Sequence, residues 1–229
     1  MSLVLALITS RDGIVASDGR RFGNAVFDKG TVVTPAPIES EEFDKTFSLD
    51  GGEVVGAFAG LMRFSGKDIP EHVDESLQSL LAEKKDFLAI ANGLSEAIKS
   101  KLTNIDQQEV VFDCRKLDVL IVSGKWAPKG RLELAKLRFS PNNGAIISSS
   151  EVVSPGGQPW HSLFGDDHAT AAAHRFLGSN RARNKDAFFL RTLALRAMNV
   201  GVNACGAQPY GPEPACGGKF FVKQIRWKS

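Results

Sequence analysis

Ser2 follows the initiator methionine and leads directly into an apolar segment, Leu3 to Ile8. Once Met1 is removed, Ser2 carries a free amine and a hydroxyl on the same residue. An α-amine titrates at about 7.7 to 8.0, so it is partly neutral near physiological pH and can accept the hydroxyl proton. The sequence therefore predicts a nucleophile and its base at one position.

Other kinds of catalytic or binding site have less support in the sequence. Asp167 and His168 are adjacent, which is more typical of a solvated turn than of a metal site. The glycines from 201 to 218 lack the spacing of a phosphate loop or a dinucleotide fingerprint. The remaining histidines lie in no catalytic signature with a serine, cysteine or aspartate: His72, His161 and His174. We therefore predict no metal and no organic cofactor.

Composition sets the broad class of protein. The chain has 229 residues, of which 43% are hydrophobic, and this is enough to bury a large core. We predict one domain over residues 1–229. Lysine and arginine total 28 against 26 acidic residues, a net charge of +2, so the sequence carries no basic signature of nucleic-acid binding.

The N-terminal apolar stretch and the cysteines bear on cellular location. The stretch ends at Thr9, far short of the roughly 20 residues that span a bilayer, so we interpret it as a buried strand and expect no membrane partner. The three cysteines, Cys114, Cys205 and Cys216, are odd in number and lack zinc-site spacing. They predict reduced thiols, no disulfide framework and a cytoplasmic location.

Hydrophobic patterning predicts the elements of the first half of the chain. Strands are expected over residues 2–9 and 14–18, paired antiparallel through a turn at Asp12-Gly13, then over 31–34, 43–49 and 53–59. Apolar residues at helical spacing predict two amphipathic helices, one with its apolar face at 73–81 and one over 87–102.

The second half repeats this order of elements. Strands are expected at 110–112, 117–123, 132–139 and 145–147, helices at 169–177 and 187–204, and a last strand at 219–227. Strands, two helices, strands, two helices and a closing strand indicate an α+β protein. We predict a four-layer α/β/β/α sandwich, with two stacked sheets and helices outside each.

Ser2, Asp18-Gly19-Arg20, Lys45 and Ala59-Gly60-Leu61 occur in the order found in proteasome β-type subunits, which are N-terminal nucleophile hydrolases. The closing Cys216-Gly217-Gly218 extends the resemblance, which is most specific over the first quarter of the chain. Among the branches of this family, the sequence is most similar to the bacterial proteasome homologues of the beta-proteobacterial type.

The resemblance implies a role for each matching residue. Ser2 would be the nucleophile, and the positive charge of Lys45 would favour proton loss from its hydroxyl or amine. Asp18 would pair with Lys45, and Arg20 would join the same network. The backbone N–H of Gly60 would stabilise the oxyanion, since a residue without Cβ allows close approach of the substrate.

The sequence departs from the family pattern at four places. Serine replaces the usual threonine nucleophile, which loosens the hydroxyl's rotamer. Glu213 and Cys216 stand where the family has Asp and Ser in Asp-x-x-Ser-Gly-Gly. Asp166 stands where the family usually supplies a serine beside the nucleophile, and a carboxylate there would change the local charge.

The resemblance implies a threonine-peptidase-like endopeptidase that uses serine, acts on a peptide or protein substrate, and assembles as a homo-oligomer of stacked rings, with an activator or unfoldase as a further partner. Helices such as 87–102 would offer packing surfaces for the rings. Two alternatives remain open at this point. One is a ring-forming scaffold or binding subunit with weak or no catalysis, and the other is a hydrolase of small amides.

Overall fold

The structure is a computed structural model. It describes residues 2–23, 26–29, 31–80, 86–105, 116–126, 131–142, 145–155, 159–180, 187–208 and 210–227. The expected strand at 110–112 lies outside these residues. Within them, no helix combines the length and the apolar character needed to cross a membrane.

The described residues form fifteen strands and four α-helices. The strands are β1 (Leu3–Ile8), β2 (Asp12–Asp18), β3 (Arg21–Phe22), β4 (Val26–Asp28), β5 (Thr31–Thr34), β6 (Ile38–Ser40), β7 (Thr46–Leu49), β8 (Val54–Gly60), β9 (Arg63–Phe64), β10 (Lys67–Asp68), β11 (Leu117–Ser123), β12 (Glu133–Asn142), β13 (Ala145–Val153), β14 (Trp160–Gly165) and β15 (Phe220–Arg226). The helices are α1 (Ile69–Leu80), α2 (Phe87–Thr103), α3 (Asp167–Ser179) and α4 (Ala187–Asn203).

The N-terminal strand lies inside an antiparallel sheet of order β14-β1-β2-β15. Every residue of β1 is buried, because both faces of the strand are covered, and this explains its unbroken apolar sequence. The pairing of β1 with β2 is as predicted. The turn, however, lies at residues 10–11, two residues earlier than predicted: the Thr9 N–H donates to the Asp12 carbonyl at 2.8 Å, and Asp12 already belongs to β2.

A second antiparallel sheet has the order β13-β12-β11-β8-β7. Strand β11 has the predicted bounds, and β12 and β13 run further than predicted as one long hairpin. In β8, Gly56 makes room for the ring of Phe47 on the neighbouring strand, because a Cβ at Gly56 would lie 2.1 Å from that ring.

The two sheets pack face to face, with helices on both outer sides. Val4 and Ala6 of the first sheet share a buried cluster with Val55 and Ala57 of the second. Helices α3 and α4 cover the other face of the first sheet, where their apolar residues pack on the alternate residues of β1, such as Leu5. Helices α1 and α2 cover the outer face of the second sheet. The fold is α+β, with two stacked sheets between helices.

Helix α2 buries the apolar face that its sequence periodicity predicted. Ile90, Leu94 and Ile98 lie in the core against the second sheet, and the helix starts at an Asp86 cap whose side chain accepts from the Ala89 N–H at 2.8 Å. Leu88 is its large exposed hydrophobic residue. The apolar periodicity of this helix is thus explained by the fold of one chain.

Strand β14 is absent from the sequence prediction, yet it pairs with β1 along its whole length, from Leu3 opposite Gly165 to Ile8 opposite Trp160. The strand contains His161 and Ser162 among its apolar residues, so it has no continuous apolar run. It brings the segment that follows it, including Asp166, to the start of β1. A chemically important neighbour of Ser2 therefore comes from a strand that the pattern did not predict.

Candidate active site

Lys45 and Asp18 form a buried ion pair at the end of the sandwich where β1 begins. The Lys45 Nζ lies 2.8 Å from the Asp18 Oδ1, and neither side chain has any exposed surface. The ammonium also donates to the backbone carbonyls of Asp18 at 3.0 Å and Arg20 at 2.6 Å. Its three donors therefore each have an acceptor, as a buried ammonium requires.

Burial sets the proton affinity of this lysine. Removal from water lowers the pKa of Lys45 below its ordinary value of 10.5, and the carboxylate of Asp18 acts in the opposite direction. A lysine with a lowered pKa gives up its proton more readily than a solvated one. The site thus holds a buried lysine at a fixed position, with the Asp18 carboxylate favouring its charged form.

The Asp18 carboxylate joins three separate segments of the chain. Its Oδ1 accepts from the Leu3 N–H at 2.9 Å as well as from Lys45, and its Oδ2 accepts from the Gly217 N–H at 2.9 Å. Leu3 directly follows Ser2, so this carboxylate fixes the backbone next to the predicted nucleophile. Asp18 is an organising residue of the site as well as the partner of Lys45.

Ser2 is fully buried, and among the described residues its Oγ has no hydrogen-bond partner. Leaving a buried hydroxyl unpaired costs about 1 to 3 kcal/mol, and the Ser17 hydroxyl on β2 is in the same condition. The backbone is nevertheless well held, because the Ser2 carbonyl accepts from the Asp166 N–H at 2.9 Å. A fixed backbone with an uncommitted hydroxyl suits a nucleophile.

Gly165 allows the close approach of β14 to Ser2. Its φ is +131°, and a Cβ at this position would lie 1.6 Å from the Ser2 carbonyl oxygen. A larger residue would push the strands apart and break the contact between Asp166 and Ser2. This glycine is a site residue that the sequence prediction missed.

Asp166 lies beside Ser2, as the resemblance implied, but its side chain already has partners. The Asp166 Oδ1 caps helix α3 by accepting from the Ala169 N–H at 2.9 Å, and it also accepts from the Gly206 N–H at 3.3 Å. Aspartate is a favoured N-cap residue for this reason. Its carboxylate therefore has a structural task, and its closest link to Ser2 is through the backbone.

Arg20 contributes to the network through its backbone carbonyl, which accepts from Lys45. Its guanidinium turns away from Asp18 and pairs with Glu41, with the Nη2 2.8 Å from the Glu41 Oε1. The Nη1 donates to the Pro214 carbonyl at 3.0 Å. The guanidinium thus fastens the loop before β15, and Glu41 is a second residue that the prediction did not include.

Gly60 is the last residue of β8 and lies near the same end of the sandwich as Lys45. The Lys45 carbonyl accepts from the N–H of Phe58, two residues before Gly60, at 3.0 Å. Its φ is +98°, and a Cβ there would lie 2.2 Å from the Lys116 carbonyl oxygen. The backbone itself therefore demands glycine. Unlike Lys45 and Ser2, Gly60 is exposed, so a ligand can approach it.

The side chain of Glu213 is exposed on the loop before β15, and only its carbonyl has a local role, accepting from the Gln208 N–H at 2.7 Å. The structure does not bring this carboxylate to the buried ion pair. Glu213 therefore does not occupy the position beside Ser2 that the comparison with the family's aspartate implied.

Cys216 is buried, and it forms a disulfide with Cys205, so the expectation of reduced thiols is wrong for this pair. The two Cα atoms lie 6.1 Å apart, because an isolated bridge between Ala207 and Pro214 folds the intervening loop back on itself. This loop pairing is not visible in the spacing of the cysteines, which is why the sequence did not predict the bond.

The disulfide also bears on metal binding. An oxygen of Asp166 and the sulfur atoms of Cys205 and Cys216 lie within 4.8 Å of one another, which is a spacing that a metal ion could use. Each sulfur is bonded to the other, however, and a disulfide sulfur is not the thiolate that zinc requires. In this state the cluster offers a single good ligand, the carboxylate.

His72, His161 and His174 make their described contacts away from Ser2. His72 stacks on the Phe64 ring at 3.7 Å between centroids, and burial lowers its pKa below the ordinary value of 6.5. His161 and His174 contact each other, with 2.9 Å between Nε2 and Nδ1. These positions agree with the interpretation of the histidines as ordinary core or surface residues.

In comparisons with known proteins, no family model and no curated protein matches this chain.

Proposed function

We propose that this chain is an N-terminal nucleophile hydrolase of the proteasome-like class that cleaves amide bonds, with Ser2 as the nucleophile after removal of Met1. One observation carries the proposal. The fully buried Lys45–Asp18 pair is hydrogen-bonded to the backbone N–H of Leu3, and the preceding residue, Ser2, has a buried hydroxyl with no partner among the described residues. Perturbed, buried ionisable pairs of this kind concentrate at functional sites. The α+β architecture is compatible with the fold of that class.

The chemistry follows from the groups present. The Ser2 Oγ attacks the carbonyl carbon of the substrate while the α-amine of Ser2 takes the hydroxyl proton, directly or through one water. The protonated amine then gives this proton to the leaving amine, and an ester between Ser2 and the acyl group remains. Water, with its proton accepted by the same amine, hydrolyses the ester and regenerates the hydroxyl.

Lys45 and Asp18 prepare the nucleophile for this reaction. A positive charge near Ser2 stabilises the developing alkoxide and favours the neutral form of the amine. Asp18 keeps Lys45 in place and holds the Leu3 N–H, so the hydroxyl and the cation have a fixed relation. Fixed charges in a dry site act without the reorganisation that water would need.

Gly60 is the proposed oxyanion donor. It lies at the end of β8, still paired with Leu117 of β11, and its exposure lets a substrate approach its backbone. One such donor contributes on the order of 10² to 10³ in rate in other acyl-transfer enzymes. As the resemblance implies, we include assembly into stacked rings in the proposal.

A scaffold or binding subunit with little catalysis is the second candidate, and a specific observation favours it. Glu213 is exposed and Asp166 is committed to a helix cap, so two of the positions compared with the family do not supply free polar groups beside Ser2. The same buried ion pair would then serve only to hold β1, β7 and the loop before β15 together.

The decisive experiment begins with the mass of the purified protein. Loss of the Met1 mass is required by the proposal, and retention of Met1 contradicts it. A β-lactone probe then acylates the nucleophile and adds its whole mass, since ring opening releases no leaving group. We expect the adduct on the N-terminal peptide at Ser2.

A panel of fluorogenic peptides and small amides measures turnover, with Ser2→Ala as the loss variant. Ser17→Ala is a matched control, because Ser17 is also fully buried with an Oγ that has no partner among the described residues, but it lies on β2. We expect Ser2→Ala to abolish both labelling and turnover and Ser17→Ala to keep both. Equal activity of Ser2→Ala and the unmodified chain would contradict the nucleophile assignment. A preference for small amides over peptides would mean that small amides are the substrate class.

A further inference from the structure

The disulfide closes a ring of contacts around the start of β1. From the Ser2 carbonyl, a hydrogen bond leads to the Asp166 N–H, and the Asp166 carboxylate accepts from the Gly206 N–H. Gly206 is the neighbour of Cys205, and Gly217 is the neighbour of Cys216. The Gly217 N–H donates to Asp18, which accepts from Leu3. The disulfide is the covalent link that completes this ring.

The Cys216 side of the ring is fixed by several contacts. The Gly217 carbonyl accepts from the Gly19 and Arg20 N–H groups at 3.0 and 2.9 Å. The Arg20 guanidinium also lies against Gly217, where a Cβ would be 2.7 Å from its Cζ. Movement of Cys216 would therefore be transmitted to the carboxylate that holds Lys45.

The Cys205 side follows the end of helix α4, which packs on β1. At Gly201 of this helix, a Cβ would lie 2.5 Å from the Cδ2 of Leu3, so the helix and the residue next to Ser2 are in close contact. The Cys205 sulfur also accepts from the Cys216 N–H at 3.0 Å. The disulfide thus joins the helix behind Ser2 to the segment beside Asp18.

We propose that Cys205–Cys216 is a reversible redox site whose disulfide state holds the Ser2 site in its working geometry and whose dithiol state loosens it. The catalytic part of this inference rests on the proposed hydrolase function. The structural part is that the bond keeps the Asp166 and Asp18 contacts ordered, and this part does not depend on the hydrolase function. The reacting partners are a small dithiol for reduction and a low-molecular-weight disulfide for oxidation.

The reduction balances as an ordinary thiol–disulfide exchange. Cys205 is partly exposed and Cys216 is buried, so the thiolate of the dithiol attacks the Cys205 sulfur and Cys216 leaves as a thiolate. The second thiol of the reagent then attacks the mixed disulfide and releases Cys205. Two electrons pass to the protein, the reagent ends as a cyclic disulfide, and the two cysteine sulfurs take up two protons.

Re-formation of the bond uses the same accessible sulfur. Cys205 is partly exposed and Cys216 is buried, so a low-molecular-weight disulfide reacts first with the Cys205 thiolate. The Cys216 thiolate then attacks the Cys205 sulfur of this mixed disulfide, the small thiol leaves, and the Cys205–Cys216 bond is restored. Both directions of the exchange thus begin at Cys205.

Reduction should loosen the loop without unfolding it. The Ala215 N–H still donates to the Gly206 carbonyl at 2.8 Å, and the Gln208 N–H to the Glu213 carbonyl at 2.7 Å. These hydrogen bonds open and close by thermal motion, whereas the covalent disulfide opens only by thiol–disulfide exchange. A displacement near 1 Å can cost about 10² in rate, so a smaller, partial loosening should lower turnover by about tenfold in the dithiol state.

The test uses the full chain with Cys114→Ser, so that the two remaining cysteines are the only sites of alkylation. Peptide mapping after treatment with a low-molecular-weight disulfide should give a Cys205–Cys216 cross-link, and a small dithiol should convert it to two alkylated cysteines. Hydrogen exchange then follows the amides of Gly206 and Gly217 in both states, and fluorogenic turnover is measured in parallel. Cys205→Ser in the same background is the control that cannot form the bond.

We expect faster exchange at both glycines and lower turnover after reduction, with Cys205→Ser fixed in the loosened, redox-insensitive condition. Absence of the cross-link, or a cross-link with identical exchange in both states, would overturn the proposal. A change in exchange with no hydrolysis in either state would support the redox site and contradict the hydrolase. A change in exchange with redox-independent turnover would overturn the catalytic part.

Discussion

Replacing Asp18 by asparagine tests the buried ion pair with little change in shape. The amide oxygen of the new side chain can still accept from Leu3, but Lys45 loses the carboxylate that faces its ammonium at 2.8 Å. The amide nitrogen also meets the Gly217 N–H, so two donors face each other. Leaving a buried charge without its partner costs about 3 to 5 kcal/mol, and we expect a loss of this size in the free energy of unfolding.

A double-mutant cycle with Lys45→Met isolates the interaction from the individual side chains. Lys45→Met alone leaves the Asp18 carboxylate with two backbone donors, so its cost should lie near the lower end of the same range, about 3 kcal/mol. The double variant has neither charge, and its loss should be about that of one single variant. The expected coupling energy is therefore about 3 kcal/mol.

Urea unfolding followed by tryptophan fluorescence measures all four proteins, and the chain has three tryptophans. Lys136 and Glu151 provide a matched control cycle, because they pair across β12 and β13 at 2.6 Å with the carboxylate 60% exposed. Lys136→Met, Glu151→Gln and their combination should each stay within about 1 kcal/mol of the unmodified chain. Additive losses in the Asp18–Lys45 cycle, or a loss below about 1 kcal/mol for Asp18→Asn, would refute the reasoning.

Three further outcomes are expected. Burial lowers the pKa of Lys45, so above that lowered pKa the unfolded chain binds more protons than the folded chain. The free energy of unfolding should therefore rise with pH up to about 10.5. Urea titrations at stepped pH should show this rise, and Lys45→Met should lose it. Burial also lowers the pKa of His72, so stability should fall as the pH drops below 6.5, and His72→Gln should remove that part of the acid dependence in thermal melts. Gly165→Ala should lower the free energy of unfolding by about 3 kcal/mol or more, because the alanine Cβ would overlap the Ser2 carbonyl. The same variant should speed hydrogen exchange at the Asp166 amide, and an unchanged urea midpoint would contradict this prediction.

The parts of the fold that the sequence predicts well are those where one local pattern decides the outcome. Strand β11 is a run of seven buried, mostly apolar residues, and helix α2 has a regular apolar face, so both were found with nearly their observed bounds. Strand β14 depends instead on pairing with β1, more than 150 residues earlier in the chain, and its own residues carry a weak signal. Long-range pairing is the information that a local pattern lacks.

The same distinction applies to the candidate site. Ser2, Asp18 and Lys45 could be named from the resemblance because their order along the chain matches the family's, and the structure brings Asp18 and Lys45 together beside Ser2. Residues that act through loop geometry were missed or misjudged. Gly165 matters because of its close approach to Ser2, and Cys216 because a folded loop brings it to Cys205.

The central position of β1 has a consequence for synthesis of the chain. Leu3–Ile8 leaves the ribosome more than 150 residues before its partner Trp160–Gly165, on the order of ten seconds or more at typical translation rates. During that interval one edge of a wholly apolar strand lacks its neighbour and is open to mispairing with other nascent chains. A chaperone that shields this strand as it emerges would therefore raise the yield of folded protein, and chains truncated before residue 160 would be prone to aggregate.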